Sequence, residues 1–141
     1  CRRTPRSDNR LLPACQTSAF FCKHIVYDNG YDGLAHQLSE GERLAHLMGD
    51  KHIMFMKNHG VLAVGDTVAQ AYRRLYKLER VCRAQLVAMA TGQPLALLSD
   101  EMVEKVDKPN PKDTHPRAER EQLYFEAMMR VLDRELPGYA D

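Results

Sequence analysis

Residues 52–65 read HIMFMKNHGVLAVG, and the reading of this stretch decides the fold. Two runs, HIMFM (52–56) and VLAV (61–64), are apolar on successive residues. That pattern suits strands covered on both faces inside a layered structure, whereas a half-exposed strand alternates. Only Lys57, Asn58, His59 and Gly60 separate the runs, so the two strands are expected to form a hairpin with KNHG as its turn. His59 then stands at the rim of a sheet, on a tip held by two stiff strands. Such a tip is a good platform for a site, and Gly60 allows another group to approach the backbone. Two readings stay open on pattern alone: His59 is a polar turn residue, or it is held there to grip a ligand.

The strongest neighbouring signal lies just downstream. Val68, Ala71, Tyr72, Leu75, Leu78, Cys82, Leu86 and Met89 recur at helical spacing. Asp66 or Thr67 is the expected N-cap, and Thr67 with Gln70 fits a capping box. Gly92 and Pro94 stop the helix, which spans roughly 25 residues or about 37 Å. SDEMVEKV is read as a short helix capped by Ser99 or Asp100, and DKPNPKDTHP (107–116) as a surface linker. The last helix, RAEREQLYFEAMMRVLDREL, is expected to turn Leu123, Ala127, Met128, Val131 and Leu132 inward, and Pro137 and Gly138 end it.

Upstream, LLPACQTSAFFCKHIVY (11–27) carries Phe20, Phe21, Ile25, Val26 and Tyr27 late in the run, which predicts a strand in its second half. DNGYDG (28–33) is loop. Ser39 is expected to cap a helix through Met48, with Leu44, Leu47 and Met48 inward and Gly49 as its stop. Residues 1–10 show no periodicity and are expected to be a flexible lead-in.

The 141-residue length is that of one domain. Net charge is +1, so composition gives no reason to propose nucleic acid or a membrane surface as partner. No apolar run approaches the roughly 20 residues needed to cross a bilayer, and no signal peptide is visible, so the cytoplasm is the expected location. Cys1, Cys15, Cys22 and Cys82 form no CxxC pair and are read as reduced thiols, with Cys82 in a helix core. The six histidines, at 24, 36, 46, 52, 59 and 115, give no HxH, HxxxH or HExxH chelate. His46 and His115 read as surface residues, and His24 and His52 as partly buried, satisfied imidazoles. Asp28, Asp32 and Asp66 are explained by local turn bonding. Arg73, Arg74, Lys77, Arg80 and Arg83 read as a solvated basic face.

The middle of the chain resembles the class II aldolase/adducin family. The motif residues are Met48-Gly49-Asp50-Lys51, Asn58-His59-Gly60, Val64-Gly65, Thr67-Val68, Ala71, Leu75-Tyr76, Leu78-Glu79-Arg80, Cys82-Arg83 and Gln85, with Gln16, Phe21, Tyr27, Tyr31 and Gly33 upstream. The resemblance runs from about residue 11 to residue 141. It implies an α/β/α layered fold with a mostly antiparallel sheet, and a homotetramer. It further implies a divalent metal, usually zinc, held by three histidines, of which two come from an HxH pair and the third is His59. The implied chemistry is lyase-type: cleavage, epimerisation or decarboxylation of sugar-like or sugar-phosphate substrates through a metal-stabilised enediolate. The family's HxH pair and upstream acid/base carboxylate fall before residue 11, where this chain has no such residues. The chain is therefore expected to be a C-terminal part of the domain, inactive alone, with weak or absent zinc. The alternative implied by the same resemblance is a non-enzymatic, adducin-like module that assembles with the actin cytoskeleton.

Overall fold

In the computed structural model the described residues are 10–30, 37–108 and 116–139. The element order is α1 (Gln16–Cys22), β1 (Ile25–Asp28), α2 (Leu38–Met48), β2 (Ile53–Met56), β3 (Gly60–Ala63), α3 (Val68–Ala90), α4 (Asp100–Asp107) and α5 (Arg117–Glu135). The fold is mixed α/β, as expected. The three strands run in the order β1-β2-β3. β2 and β3 are the antiparallel hairpin, in register Ile53↔Ala63 through Met56↔Gly60. β1 and β2 pair parallel, Ile25↔Ile53 through Asp28↔Met56. A parallel neighbour needs a long crossover, and α2 lies in the one between β1 and β2.

Burial along the hairpin departs from the expectation for one strand. Ile53 and Met54 are both inaccessible, so β2 is covered on both faces. β3 is not: Val61 and Leu62 are more than a third exposed. Its position explains this, since β3 is the outer strand of the described sheet and pairs only with β2. The core joins Leu11, Phe21, Ile25, Ile53, Leu78 and Val81, with half-buried Cys82 packed against it.

The stretch before β1 corrects the sequence reading. Phe20 and Phe21 belong to a helix, and the strand begins only at Ile25. Ser18 sets the helix start: its Oγ accepts from the Cys15 amide at 3.0 Å and donates to the Cys15 carbonyl at 2.9 Å. The segment before α1 is strapped to α3 by Gln85. Its Oε1 accepts from the Leu12 amide at 2.7 Å and its Nε2 donates to the Arg10 carbonyl at 3.0 Å. One amide side chain thus ties down backbone more than 70 residues away, a structural role for that motif position.

Other boundaries shift slightly. α2 starts at Leu38 with Gln37 at its N-cap and no side-chain capping bond, so Ser39 lies inside the first turn. Gly49 ends it in a left-handed conformation (φ 52°) and Met48 is buried, both as expected. Thr67 caps α3, accepting from the Gln70 amide at 3.2 Å. The reciprocal bond is displaced by one residue, because Gln70 Oε1 accepts from the Asp66 amide. Ser99 caps α4, accepting from the Met102 amide. The inward faces of the two longest helices match the expected ones in part: Leu78 is buried, Cys82 packs against the core, and Ala127, Met128 and Val131 are half-buried. In α3, Ala69, Gln70, Leu78 and Val81 are buried, while Val68, Tyr72, Leu75, Leu86 and Met89 are exposed. In α5, Leu123 and Leu132 face outward; the helix meets α3 through Phe125 on Tyr72 and Tyr124 on Tyr76. No described helix is long and apolar enough to cross a membrane. The expectations for residues 1–9, for most of the Pro-rich linker and for the loop after Gly30 lie outside the described residues, as do Cys1, Asp32, His36 and His115.

Candidate functional site

The hairpin turn is Lys57-Asn58-His59. Asn58 takes the left-handed conformation (φ 58°) that lets the chain reverse, a conformation asparagine tolerates better than most residues. Gly60 is nearly extended (φ 159°) and starts β3 opposite Met56. The His59 amide donates to the Met56 carbonyl at 3.2 Å, which closes the turn. His59 itself is exposed at the apex. Among the described residues, no hydrogen bond reaches its imidazole.

The turn is braced from the side by the end of β1. The Lys57 amide donates to the Asp28 carbonyl at 2.9 Å. The Asp28 carboxylate, only 5% exposed, accepts from the two terminal guanidinium nitrogens of Arg43, at 3.0 and 2.6 Å, and from the Gly30 amide at 3.0 Å. The Arg43 bonds hold its carboxyl below the usual aspartate range, the Gly30 amide adds to this, and burial opposes it. Sequence reasoning found the local Asp28–Gly30 turn and missed Arg43, which lies on another element. Arg43 also forks onto Glu40, so one cation joins α2 to the sheet's rim.

The remaining described histidines are not gathered around His59. His24 and His52 precede β1 and β2, at the other end of the sheet. Their rings stack at 5.3 Å with a 9° interplanar angle. His24 Nε2 meets Asp107 Oδ1 at 2.7 Å, which is the satisfied imidazole expected from sequence. Burial, then the charges of Arg74 and His24, disfavour protonation of His52. His46 is exposed on α2. Among the described residues, no three histidine, cysteine or acidic side chains come together as a metal-binding group. His59 is placed to donate one imidazole to a cation, and these residues do not by themselves form a zinc site. Cys15, Cys22 and Cys82 are free thiols, and burial pushes the Cys22 and Cys82 thiols up.

Comparison with known proteins places this geometry in context. Residues 5–86 match the model of the family described as Class II Aldolase and Adducin N-terminal domain. A Caulobacter vibrioides relative named for the class 2 aldolases is 34% identical over 93% of this chain and 50% of its own length. Human beta-adducin is 28% identical over 87% of this chain and 18% of its own length. The crystal structure of an aldolase II superfamily protein from Pseudomonas syringae superposes with a TM-score of 0.79 at 33% identity, covering 96% of this chain and 52% of that one. The chain thus spans about half the length of its bacterial relatives.

Proposed function

Because the chain belongs to the class II aldolase and adducin family, we propose that it is part of a metal-dependent aldolase-type enzyme. The reaction class is lyase, epimerase or decarboxylase chemistry on a sugar-like or sugar-phosphate substrate. In this reading His59 is one of three imidazoles that hold a divalent cation, zinc, and the cytoplasm is the place of action. The observation that carries it is the exposed His59 ring on a turn fixed by β2, β3 and Asp28. A catalytic zinc needs about three protein ligands, so one imidazole retains it poorly, and this chain alone is read as inactive.

The test is elemental analysis of the 141-residue chain after zinc loading and dialysis. The expected content is far below one zinc per chain, and a ratio near one would overturn the proposal. In a longer polypeptide that joins this segment to an HxH pair, His59→Ala should abolish stoichiometric zinc and turnover while the circular dichroism spectrum is kept. Retention of both would remove His59 from the ligand set.

An adducin-like assembly module is the second reading, favoured by the similarity to human beta-adducin across most of this chain. An apolar stripe on α3, with Leu86 67% and Met89 50% exposed, fits self-association in either case. We assign the stripe to a homo-oligomer, of which a tetramer is the family's form. Light scattering should give a mass that is a multiple of the 16.1 kDa chain, and Leu86→Glu should lower it. A monomer at high micromolar concentration would remove this assignment.

A further inference from the structure

The basic run on α3 does not behave as the uniformly solvated face expected from sequence. Arg73, Arg74 and Lys77 turn into a cleft of about 320 Å³ between α1, α3, α4 and α5. There they meet Arg117 and Arg120 from the first turn of α5, and among the described residues Glu121 is the acidic group in the lining. Among the described residues the lining is therefore predominantly cationic. Among the described residues, Arg73, Arg74, Lys77 and Arg117 form no ion pair.

Several features set this cleft apart from an ordinary basic surface. Arg117 lies over the Phe20 ring at 4.0 Å and Arg73 over the Tyr124 ring at 3.6 Å. A guanidinium held over a ring can still present its N–H groups, which match phosphate oxygens in pairs. Lys77 is half-buried, and burial, then Arg73, disfavour its charged form. Arg117 opens α5 at the positive end of its dipole, a less favourable place for a cation, with Glu119 in the same turn. Arg73, Lys77 and Arg117 are thus held close together, and a bound anion would relieve their mutual repulsion. Arg74 is partly committed, since its guanidinium donates to the Val64 carbonyl.

We propose that this cleft binds a soluble, multiply charged phosphorylated small molecule, through the Arg73 and Arg117 guanidinium edges with Lys77 between them. The volume is at the low end of the range for small-molecule pockets, about 300–1,000 Å³. Partly buried Phe20 supplies an apolar wall for the non-phosphate part of the ligand. The site is independent of the proposed metal ligand. Val106 lines the cleft, and the adjacent Asp107 pairs with His24, so the cleft sits at the end of the sheet opposite His59.

The test is isothermal titration calorimetry on the 141-residue chain with pyrophosphate as the probe. Saturable binding at one site per chain is expected. Arg73→Gln with Arg117→Gln should weaken it at least tenfold. Thr17→Glu, a carboxylate added at the exposed rim, should do the same without removing any cation. Arg80→Gln with Arg83→Gln, further along the same helix, should change it less than twofold, and His59→Ala should leave it unchanged. Absence of saturable binding overturns the proposal, as does an equal loss in the Arg80/Arg83 variant or equal binding of sulfate. Binding of vesicles carrying a phosphorylated inositol headgroup, without binding of pyrophosphate, overturns the assignment to a soluble molecule.

Discussion

Replacing Phe21 by alanine is expected to destabilise the protein by about 3–5 kcal/mol, the range for truncating a fully buried aromatic. Phe21 is 1% exposed and belongs to the core with Leu11, Ile25, Ile53, Leu78 and Val81. Its ring also meets Phe20 edge-on at 5.5 Å, and alanine leaves Phe20 without that neighbour. The loss is large because α1 is only seven residues long and too short to persist without packing. Removing its one fully buried aromatic removes most of what seats it. Equilibrium urea denaturation should show the midpoint falling with the slope unchanged. Phe20→Ala should cost clearly less, since Phe20 is only partly buried at the edge of the core. Equal losses for the two would mean that 16–22 does not seat itself through Phe21.

This pair of residues also marks where the sequence was and was not legible. The hairpin could be read because a turn with Asn58 and Gly60 between two apolar runs has few alternatives. The α3 cap could be read because Thr67 and Gln70 act over one helical turn. α1 could not, because QTSAFFC is as apolar as a strand, and the deciding bond is a serine hydroxyl closing on Cys15. The buried faces of α3 and α5 were legible only in part, for a related reason. Spacing gives a stripe of apolar residues, but which part of it is covered depends on the partner element. Here Tyr72 and Tyr76 meet Phe125 and Tyr124, while Leu75 and Leu123 are left outside. For the site, His59 was legible as a turn residue from spacing, and its proposed ligand role came only from the family motif. The cleft was not legible at all, because Arg73 and Arg117 are more than 40 residues apart and only the packing of α5 on α3 joins them.

The Asp28–Arg43 pair was equally hidden, and it gives the second large effect. Asp28→Asn is expected to destabilise the protein at neutral pH by about 1.5–3 kcal/mol, the range for hydrogen bonds to a charged group. The carboxylate accepts two bonds from Arg43 and one from Gly30, and an amide oxygen cannot replace both arms of the fork. The pH dependence separates this from a simple loss of shape. Asp28 has a folded pKa below its unfolded one, with Arg43 as the main cause. Its contribution is therefore complete above the unfolded aspartate value, about 3.9, and is lost as pH falls through the lower folded value. The gap in stability between the natural protein and Asp28→Asn should be constant from about pH 7 to pH 5 and shrink at lower pH. Denaturation curves at a series of pH values measure it. A gap that persists unchanged well below pH 3 would show that the carboxylate's charge is not what matters. Because Asp28 also accepts from Lys57 through its backbone carbonyl, Asp28→Asn has a second expected consequence. Amide exchange at Lys57 and His59 should quicken, since the end of β1 that braces the turn has lost its tie to α2.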